Sequence, residues 1–274
     1  MSIIQGTAKG GAVAASLYDY PVSLRFDGSS YLSRGFSGGN ANIHTISVWV
    51  KRTELTGSGH TDAIFSAGDT ADTNRVFLLG FENDNIKLWG FSPDAFNKRY
   101  QRTTNAVFRD LSAWYHVVAV IDFTNQSGHD RVKLYVNGSQ ITSFSNETTN
   151  DPSSGTSAIG YSYDYNIGRY NYASKPIIKG AYMANIQFID GQALDQYFFG
   201  EFIDNIWVPY NAFSTAGSGT ATASDGDTAT DSYGTNGFHL TFENGIESLP
   251  VGGYTGSQNA FRDKSHNTNH WKIN

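Results

Sequence analysis

The chain has 274 residues, of which 39% are hydrophobic and only 16% charged, and its formal net charge is −6 at pH 7. About a quarter of the residues are charged in a typical globular protein. The sequence has no basic stripe that would favour nucleic acid phosphates. Cysteine is absent, which excludes disulfides, cysteine-ligated zinc and thiol nucleophiles.

Residues 1–20 are rich in glycine and alanine and predict a flexible N-terminal arm. A cleaved signal peptide is the weaker interpretation, because no basic region precedes the apolar part and glycine interrupts it. The sequence contains no run of 18 apolar residues, so we expect no insertion into a membrane.

From Val22 onward, apolar and polar residues alternate with the period of a β-strand. "HTISVWVKR" places Ile46 and Val48 on one face and Trp49 on the other, where Trp49 is either exposed or covered by a long loop. "VKLYVNGSQIT" predicts a hairpin closed by Asn137-Gly138, a pair that tolerates the positive φ angles of a type I′ turn. "AYMANIQFID" places four residues on one face of a strand: Tyr182, Ala184, Ile186 and Phe188.

No stretch of a dozen residues shows a helical period. Many short strands with regular turns predict an all-β fold, namely an antiparallel two-sheet jelly-roll sandwich. We expect residues 21–195 to form this sandwich and residues 196–274 to form a C-terminal extension packing on it. Within the extension, residues 214–232 read "STAGSGTATASDGDTATDS" and predict a mobile surface loop that buries almost nothing.

Five segments occur in an order that resembles a known family: "SLRFDGSSYL", "HTISVWVKR", "WYHVVAVID", "VKLYVNGSQI" and "YNIGRYN" followed by "YMANIQFIDGQAL". Together they resemble a laminin-G-like domain with a concanavalin A-like jelly roll. The later segments "FIDGQALD", "FGEF", "IWVPYNAF", "YGTNGFHLTFEN" and "DKSHNTNHWKIN" resemble the ends of laminin-G-like proteins of tailed bacteriophages. Gln196 stands where proline is common in that group, and "HNTNHW" replaces a glycine-rich form.

The resemblance implies a non-enzymatic protein on the surface of a bacteriophage virion, as a head decoration or a tail fibre, spike or knob subunit. Its partners would be other virion proteins, further copies of the chain and glycans of the host surface. The alternative is a secreted protein of the concanavalin A-like class that binds or cleaves carbohydrate.

Catalytic motifs are not visible in the sequence. Retaining glycosidases of this fold commonly supply their carboxylates from one strand as E-x-D-x-x-E, and no such run is present. Glu201 and Asp204 are three residues apart and would point to opposite faces of a strand. Asp190 and Asp195 read as turn formers, and His116 reads as a hydrogen-bonded structural residue. We therefore expect no enzymatic activity and no cofactor other than a metal ion.

Two acidic loops are candidates for calcium, which prefers six to eight oxygen ligands. The first supplies Asp69, Asp72 and Asn74, which we take as the candidate metal site. The second supplies Asp225, Asp227 and Asp231. The alternative for both loops is a set of solvated aspartates without an ion.

The segment "YSYDYNIGRYNY" is the most suggestive surface feature. Its aromatic and basic residues are candidates for binding, and they are Tyr161, Tyr163, Tyr165, Arg169, Tyr170 and Tyr172. They could form a protein interface, where tyrosine and arginine are enriched, or stack on sugar rings. The third interpretation is that they cover the edge of the sandwich. If "YSYDY" is extended, its three tyrosines share one face.

Overall fold

The computed structural model describes residues 22–55, 57, 59–68, 76–91, 99–148, 158–171, 176–214, 217–265 and 267–274. The predicted arm therefore lies outside the described residues. The described part consists mainly of β-strands. It also contains two short 3₁₀ helices, Gly128–Arg131 and Gln196–Phe198. The strands are β1 (Leu24–Phe26), β2 (Leu32–Gly35), β3 (Ile43–Arg52), β4 (Thr61–Gly68), β5 (Val76–Glu82), β6 (Asn85–Phe91), β7 (Arg99–Val107), β8 (Tyr115–Asp122), β9 (Val132–Val136), β10 (Ser139–Gln140), β11 (Phe144–Thr148), β12 (Asp164–Ile167), β13 (Ala181–Asp190), β14 (Gly200–Ile203), β15 (Ile206–Pro209), β16 (Thr220–Thr222), β17 (Thr228–Thr230), β18 (Phe238–Leu240), β19 (Ile246–Pro250), β20 (Ser257–Phe261) and β21 (Trp271–Ile273).

Two large antiparallel sheets form the sandwich. The seven-stranded sheet has the order β1-β13-β3-β8-β9-β10, with β18 also paired to β13. The ten-stranded sheet has the order β11-β7-β6-β5-β4-β12-β2-β21-β20-β19. The prediction of an all-β, antiparallel, two-sheet jelly-roll sandwich is confirmed. None of the described residues forms a helix long and apolar enough to cross a lipid bilayer.

The main core lies between the two sheets and is built from alternate residues of each strand. In β3, Ile46, Val48 and Val50 are fully buried there. In β5, Phe77 and Leu79 face them from the ten-stranded sheet. Because side chains alternate along a strand, the residues between these positions point to the outer faces of the sandwich.

Strand β13 departs from the predicted alternation. The sequence places Tyr182, Ala184, Ile186 and Phe188 on one face, but the register against β3 shifts between Ala184 and Gln187. Asn185 has a φ of 45° at this bulge. The extra residue moves Ile186 and Phe188 into the main core while Ala184 packs on the outer face. The prediction of a single face was therefore wrong.

Among the described hairpins, three turn through residue pairs with positive φ, and one of these is the β14–β15 hairpin. Asn137 and Gly138 have φ values of 49° and 79°, as the Asn-Gly pair predicts for a type I′ turn. Asn83 and Asp84 close the β5–β6 hairpin with φ values of 51° and 67°. Gly138 has a second constraint, because a Cβ atom there would collide with the Trp207 ring.

A covering layer, residues 192–232, lies on the outer face of the seven-stranded sheet. Val118, Val120 and Tyr135 of that face share a buried cluster with side chains of the layer. Those side chains are Leu194, Phe198, Phe199, Phe213, Ala221 and Ala223. The same layer covers Trp49, which is 7% exposed and packs beside Trp207. Of the two sequence alternatives for Trp49, the covered one is correct.

The predicted mobile loop at residues 214–232 contains a hairpin of β16 and β17. Ala221 and Ala223 are buried in the cluster described above. Asp231 is 3% exposed, and its carboxylate accepts hydrogen bonds from the backbone amide and hydroxyl of Ser214. The prediction that this segment buries almost nothing is therefore wrong. The two small alanines pack beneath the hairpin, and their low hydrophobicity gives no sign of this burial in the sequence.

The remainder of the predicted extension belongs to the sandwich itself. Strand β18 pairs with β13 in the seven-stranded sheet, and β21 pairs with β2 in the ten-stranded sheet. Trp271 of β21 is fully buried in the main core. The C-terminal segment thus completes both sheets in addition to packing on them.

Candidate functional site

A pocket of about 550 Å³ opens between the covering layer and the seven-stranded sheet. We call it the acidic pocket. Its lining residues are Val120, Asp122, Asn125, Asp130, Lys133, Tyr135, Ala193, Leu194, Asp195, Phe198, Asp227 and Thr228. Pockets that combine apolar walls with a few convergent polar groups are the usual form of ligand sites.

The sheet supplies one wall of the acidic pocket by alternation. Val120 and Asp122 are outward positions of β8, and Lys133 and Tyr135 are outward positions of β9. Their neighbours in sequence point into the main core. The covering layer supplies the opposite wall, where Asp195 precedes the second 3₁₀ helix and Asp227 precedes β17.

Negative charge dominates the acidic pocket. Four carboxylates line it, whereas Lys133 is the one cationic side chain of the lining. The Lys133 ammonium lies 3.6 Å from a carboxylate oxygen of Asp130, in a largely exposed pair. The pocket therefore has a net negative charge and carries hydrogen-bond acceptors on both walls.

Three carboxylates come together beside this pocket, and two of them, Asp195 and Asp227, line it. Asp195, Asp225 and Asp227 each offer an oxygen, and these oxygens all lie within 4.8 Å of one another. Asp195 also caps the second 3₁₀ helix, where its Oδ1 accepts a hydrogen bond of 3.0 Å from the Tyr197 amide. Burial raises the pKa of the Asp195 carboxyl, the Tyr197 amide opposes this, and the charges of Asp225 and Asp227 raise the pKa further.

Tyr135 forms part of the pocket wall and is 7% exposed. Burial raises the pKa of its hydroxyl to about 12, with further contributions from the negative charges of Asp195 and Asp130. The hydroxyl is therefore a neutral donor at physiological pH.

The structure separates the tyrosines that the sequence groups together. Tyr165 is fully buried and packs edge-to-face on Phe36, with ring centroids 4.6 Å apart. Its hydroxyl accepts a 2.7 Å hydrogen bond from the Gly160 amide. Tyr170 is 7% exposed and packs against Trp89. Both predictions of surface binding residues are thus corrected, because these rings fill the sandwich and cover its outer face.

Three of the predicted binding residues keep partly exposed positions. Tyr161 and Tyr163 are half-buried, and their rings stack with centroids 6.0 Å apart. The amide of Tyr163 donates to the Tyr161 carbonyl at 2.9 Å, and β12 begins only at Asp164, so the predicted extended "YSYDY" strand does not form. The Arg169 guanidinium lies 4.4 Å above the ring of Tyr31.

Four predicted residues lie outside the described part of the chain: Tyr172 of the aromatic segment, and Asp69, Asp72 and Asn74 of the candidate metal site.

His116 has the structural role that the sequence predicts. It is fully buried, and its Nδ1 accepts a 2.9 Å hydrogen bond from the Trp207 indole. Its Nε2 lies 2.9 Å from the Ser47 hydroxyl, and its ring stacks between Trp49 and Trp207. This chain of contacts ties the β14–β15 hairpin to the sheet.

The acidic pocket was missed at the sequence level. Alternation along "VKLYV" places Lys133 and Tyr135 opposite the core, so their outward direction was available from the sequence. The residues of the opposite wall could not be predicted from the sequence, because Asp195 and Asp227 approach β9 only when the covering layer folds over the sheet.

Comparison with known proteins agrees with this architecture. The two antiparallel sheets define a jelly roll of the concanavalin A-like class. Residues 26–173, more than half of the chain, match the family model described as the concanavalin A-like lectin/glucanases superfamily. The chain therefore belongs to this family, and Asp195, Asp225 and Asp227 lie outside the matched segment. Comparison with curated proteins gives no match.

Solved structures with a similar chain path include proteins of several kinds. The native heptameric SAP-like pentraxin from Limulus polyphemus is 18% identical over 61% of this chain and 71% of the pentraxin chain, with a TM-score of 0.41. Domain 4 of an extracellular arabinanase from Geobacillus stearothermophilus, solved with arabinotriose, is 20% identical over 68% and 79%, with a TM-score of 0.40. The LG4-5 domains of the mouse laminin alpha1 chain are 12% identical over 71% and 46%, with a TM-score of 0.42.

Proposed function

We propose that this chain is a non-enzymatic surface protein of a bacteriophage virion that binds glycans of the host surface through the acidic pocket. It attaches to neighbouring virion proteins, including further copies of itself. The observation that carries the proposal is the acidic pocket, which is lined by both aromatic or apolar side chains and hydrogen-bonding groups. The family to which the chain belongs is described as lectins and glucanases, which agrees with a carbohydrate ligand.

The chemistry of the pocket lining suits a sugar. A sugar ring has apolar C–H faces that pack on aromatic and aliphatic side chains, and here Tyr135, Leu194 and Phe198 are available. Its hydroxyls donate to carboxylates and accept from ammonium and amide groups. Asp122, Lys133 and Asn125 supply these groups on the lining.

The proposal of binding rather than cleavage is supported by the absence from the sequence of the E-x-D-x-x-E run that retaining glycosidases of this fold commonly use. A retaining glycosidase holds its two carboxyl groups about 5–5.5 Å apart, and an inverting enzyme holds them farther apart. The oxygens of Asp195, Asp225 and Asp227 all lie within 4.8 Å of one another, closer than either kind of enzyme holds its pair.

We therefore expect no release of reducing ends when the purified protein is incubated with a glycan that it binds. A reducing-sugar assay measures this directly. Turnover that is abolished by Asp195→Asn would mean that the carboxylates act as acid and base, and it would overturn the non-enzymatic part of the proposal.

The role in the virion is supported by the resemblance of the C-terminal segments to laminin-G-like phage proteins. Exposed apolar side chains also support attachment to other proteins. Phe202 and Ile206 are 50% and 65% exposed on one hairpin, β14–β15. The strand register places Phe202 opposite Trp207 and Ile206 opposite Ile203, so the hairpin exposes an apolar side chain on each of its faces. Immunogold labelling of purified virions with an antibody to this chain tests the location.

Glycan binding should depend on Lys133. A glycan array identifies a ligand, and calorimetric titration then measures its Kd. Lys133→Ala removes a charged donor from the pocket wall, so we expect Kd to rise by about tenfold or more, since hydrogen bonds to charged groups contribute about 1.5–3 kcal/mol. Lys87→Ala is the matched control, because Lys87 forms a similar pair with Glu82 at 2.8 Å on the other sheet. Equal Kd values for both variants would place the glycan elsewhere.

Assembly should depend on Arg169. Its guanidinium covers Tyr31 at the surface, and arginine and tyrosine are enriched at interface hot spots, where truncation costs about 2 kcal/mol or more. We expect Arg169→Ala to lower incorporation into virions by about tenfold or more. Quantitative blotting of purified virions measures this, with the melting temperature of the free variant as the control for folding. Normal incorporation of a folded variant would show that Arg169 is not part of the interface.

A further inference from the structure

We propose that Asn244 is a site of spontaneous deamidation, at which the backbone nitrogen of Gly245 attacks the side-chain carboxamide and the Lys264 ammonium stabilises the carboxamide oxygen. The sequence contains three Asn-Gly pairs, at 137–138, 236–237 and 244–245. Glycine favours the reaction in each pair, because it has no side chain to block the approach of its nitrogen. The reaction requires neither a glycan nor a virion protein, so it is independent of the proposed function.

The first Asn-Gly pair is held at both of its reacting groups. The Asn137 Oδ1 accepts a 2.7 Å hydrogen bond from the His116 amide, which fixes the carboxamide. Gly138 is buried, and even a single added carbon atom there would collide with the Trp207 ring. Attack requires the carboxamide and the glycine nitrogen to rotate towards each other, and the packing of this turn under Trp207 opposes that rotation.

The second pair is buried inside the fold. Asn236 is 6% exposed, and its backbone amide donates to the Asp190 carboxylate at 3.0 Å. Its side-chain amide donates to the Gly38 carbonyl. Gly237 packs directly on the backbone of Tyr233. The carboxamide and the glycine nitrogen of this pair are therefore fixed as well.

The third pair lies in an open turn between β18 and β19. Asn244 and Gly245 are both exposed. No described atom lies within 4 Å of the position that a Cβ atom at Gly245 would occupy. Among the described residues, the Gly245 amide has one hydrogen bond, to the Phe242 carbonyl at 3.2 Å. Exposed turns with few hydrogen bonds open at low cost in free energy, so this nitrogen can reach the carboxamide.

Lys264 gives the third pair a chemical advantage as well. Its ammonium donates to the Asn244 Oδ1 at 3.4 Å and lies 3.7 Å from the Glu243 carboxylate. The Lys264 backbone is fixed by a 2.7 Å hydrogen bond to the His239 carbonyl. During attack the carboxamide oxygen gains negative charge. The ammonium therefore interacts more strongly with the transition state than with the unreacted amide, which accelerates the reaction.

The reaction needs no reagent other than water. Hydroxide removes the Gly245 amide proton, and the nitrogen forms a bond to the Asn244 Cγ. The Cγ–Nδ2 bond then breaks, water protonates the departing nitrogen, and ammonia leaves behind a cyclic imide. Water opens this imide at either of its carbonyls, which gives aspartate or isoaspartate at position 244.

The products are compatible with the fold. The new carboxylate would lie beside Lys264 and pair with its ammonium. Isoaspartate adds one atom to the backbone, but the turn leads into β19, which is the outermost strand of the ten-stranded sheet. We therefore expect a chain with one additional negative charge and an almost unchanged melting temperature, as for most surface substitutions.

Peptide mapping by mass spectrometry, after incubation of the full chain in mildly alkaline buffer, tests the choice of site. We expect the Asn244 peptide to deamidate about tenfold or more faster than the Asn137 and Asn236 peptides, because only its turn can open without disturbing packed residues. The same incubation in guanidinium chloride is the control, since the three pairs should react at similar rates once the fold is lost. Equal rates in the folded chain would overturn the proposal.

A second measurement tests the ammonium. Lys264→Gln should slow deamidation of Asn244 by about threefold, less than the loss of a buried oxyanion donor, because the Lys264 side chain is 30% exposed. Lys272→Gln is the matched control, since the Lys272 ammonium lies over the Tyr254 ring instead. The melting temperature of each variant verifies folding. Equal rates in the two variants would overturn the role of Lys264.

The mass of the product separates deamidation from a cross-link. An imide that forms at Asn244 takes up water and ends as an acid. A stable loss of ammonia, with the Lys264 and Asn244 peptides joined, would instead mean that the lysine amine had attacked the carboxamide. That result would overturn the proposal.

Discussion

Lowering the pH from about 7.5 to 5 should destabilise the protein by on the order of 6 kcal/mol, about 2 kcal/mol for each of three buried histidines. His44, His116 and His239 are 0%, 0% and 5% exposed. Burial lowers the pKa of each to about 3, and the charge of Lys264 adds to this effect at His239.

The sign follows from the difference between the folded and unfolded chains. An unfolded histidine has a pKa near 6.5. Below this pH the three histidines bind protons in the unfolded chain but stay neutral in the folded chain. Stability is therefore fully present above about pH 6.5 and is lost as the pH falls towards the folded pKa near 3. At His116 a hydrogen bond also opposes protonation, because Nδ1 accepts a hydrogen bond from the Trp207 indole N–H.

His44→Leu provides the sharpest measurement. Neither ring nitrogen of His44 has a hydrogen-bond partner among the described residues, and its ring lies 6.0 Å from those of Phe77 and Phe188. Leucine needs no hydrogen-bond partner at this apolar site. Urea denaturation at each pH should therefore show that the variant loses about one third less free energy of unfolding between pH 7.5 and 5. Ile46→Leu is the control, because it alters a fully buried side chain of the same strand without changing a titratable group. A stability that stays constant between pH 7.5 and 5 would contradict the assignment.

Arg52→Met should destabilise the fold by about 3–5 kcal/mol, the range measured when one partner of a buried ion pair is removed. Arg52 ends β3 and is 1% exposed. Its guanidinium donates to the Asp84 carboxylate at 2.9 Å and to the Phe108 carbonyl at 2.7 Å, and it lies 4.5 Å above the Phe81 ring. Methionine fills similar volume but leaves the buried Asp84 carboxylate without its buried cation.

The Asp84 carboxylate has a second cationic neighbour, which supplies the control. Arg109 donates to Asp84 at 2.9 Å, but its side chain is 60% exposed. Exposed pairs contribute about 0–1 kcal/mol, so Arg109→Met should change the free energy of unfolding by no more than this. Chemical denaturation of both variants measures the difference. Equal effects would mean that burial does not decide the strength of this network.

The sequence predicts the features that depend on local chemistry. Alternation in "HTISVWVKR" identifies the buried face of β3, and Asn137-Gly138 identifies a hairpin because few residue pairs accept two positive φ angles. These features need no information about distant residues. For the same reason the prediction failed at Asn185, where one extra residue in β13 reverses the faces without a local signal.

The candidate site depends on contacts between distant segments. Tyr165 and Tyr163 are equally aromatic and two residues apart, yet one fills the core and the other is half-buried. Tyr165 lies in β12, which pairs with both β2 and β4, whereas Tyr163 precedes that strand. Asp195 lies some thirty residues before Asp225 and Asp227, and in the sequence it reads as a turn former unconnected with them. Composition and alternation determined that the chain is a β-sandwich. Folding of residues 192–232 over the outer face of the seven-stranded sheet decided where its pocket and its aspartates lie, since hydrophobic burial of Leu194, Phe198 and Phe213 there is a tertiary interaction.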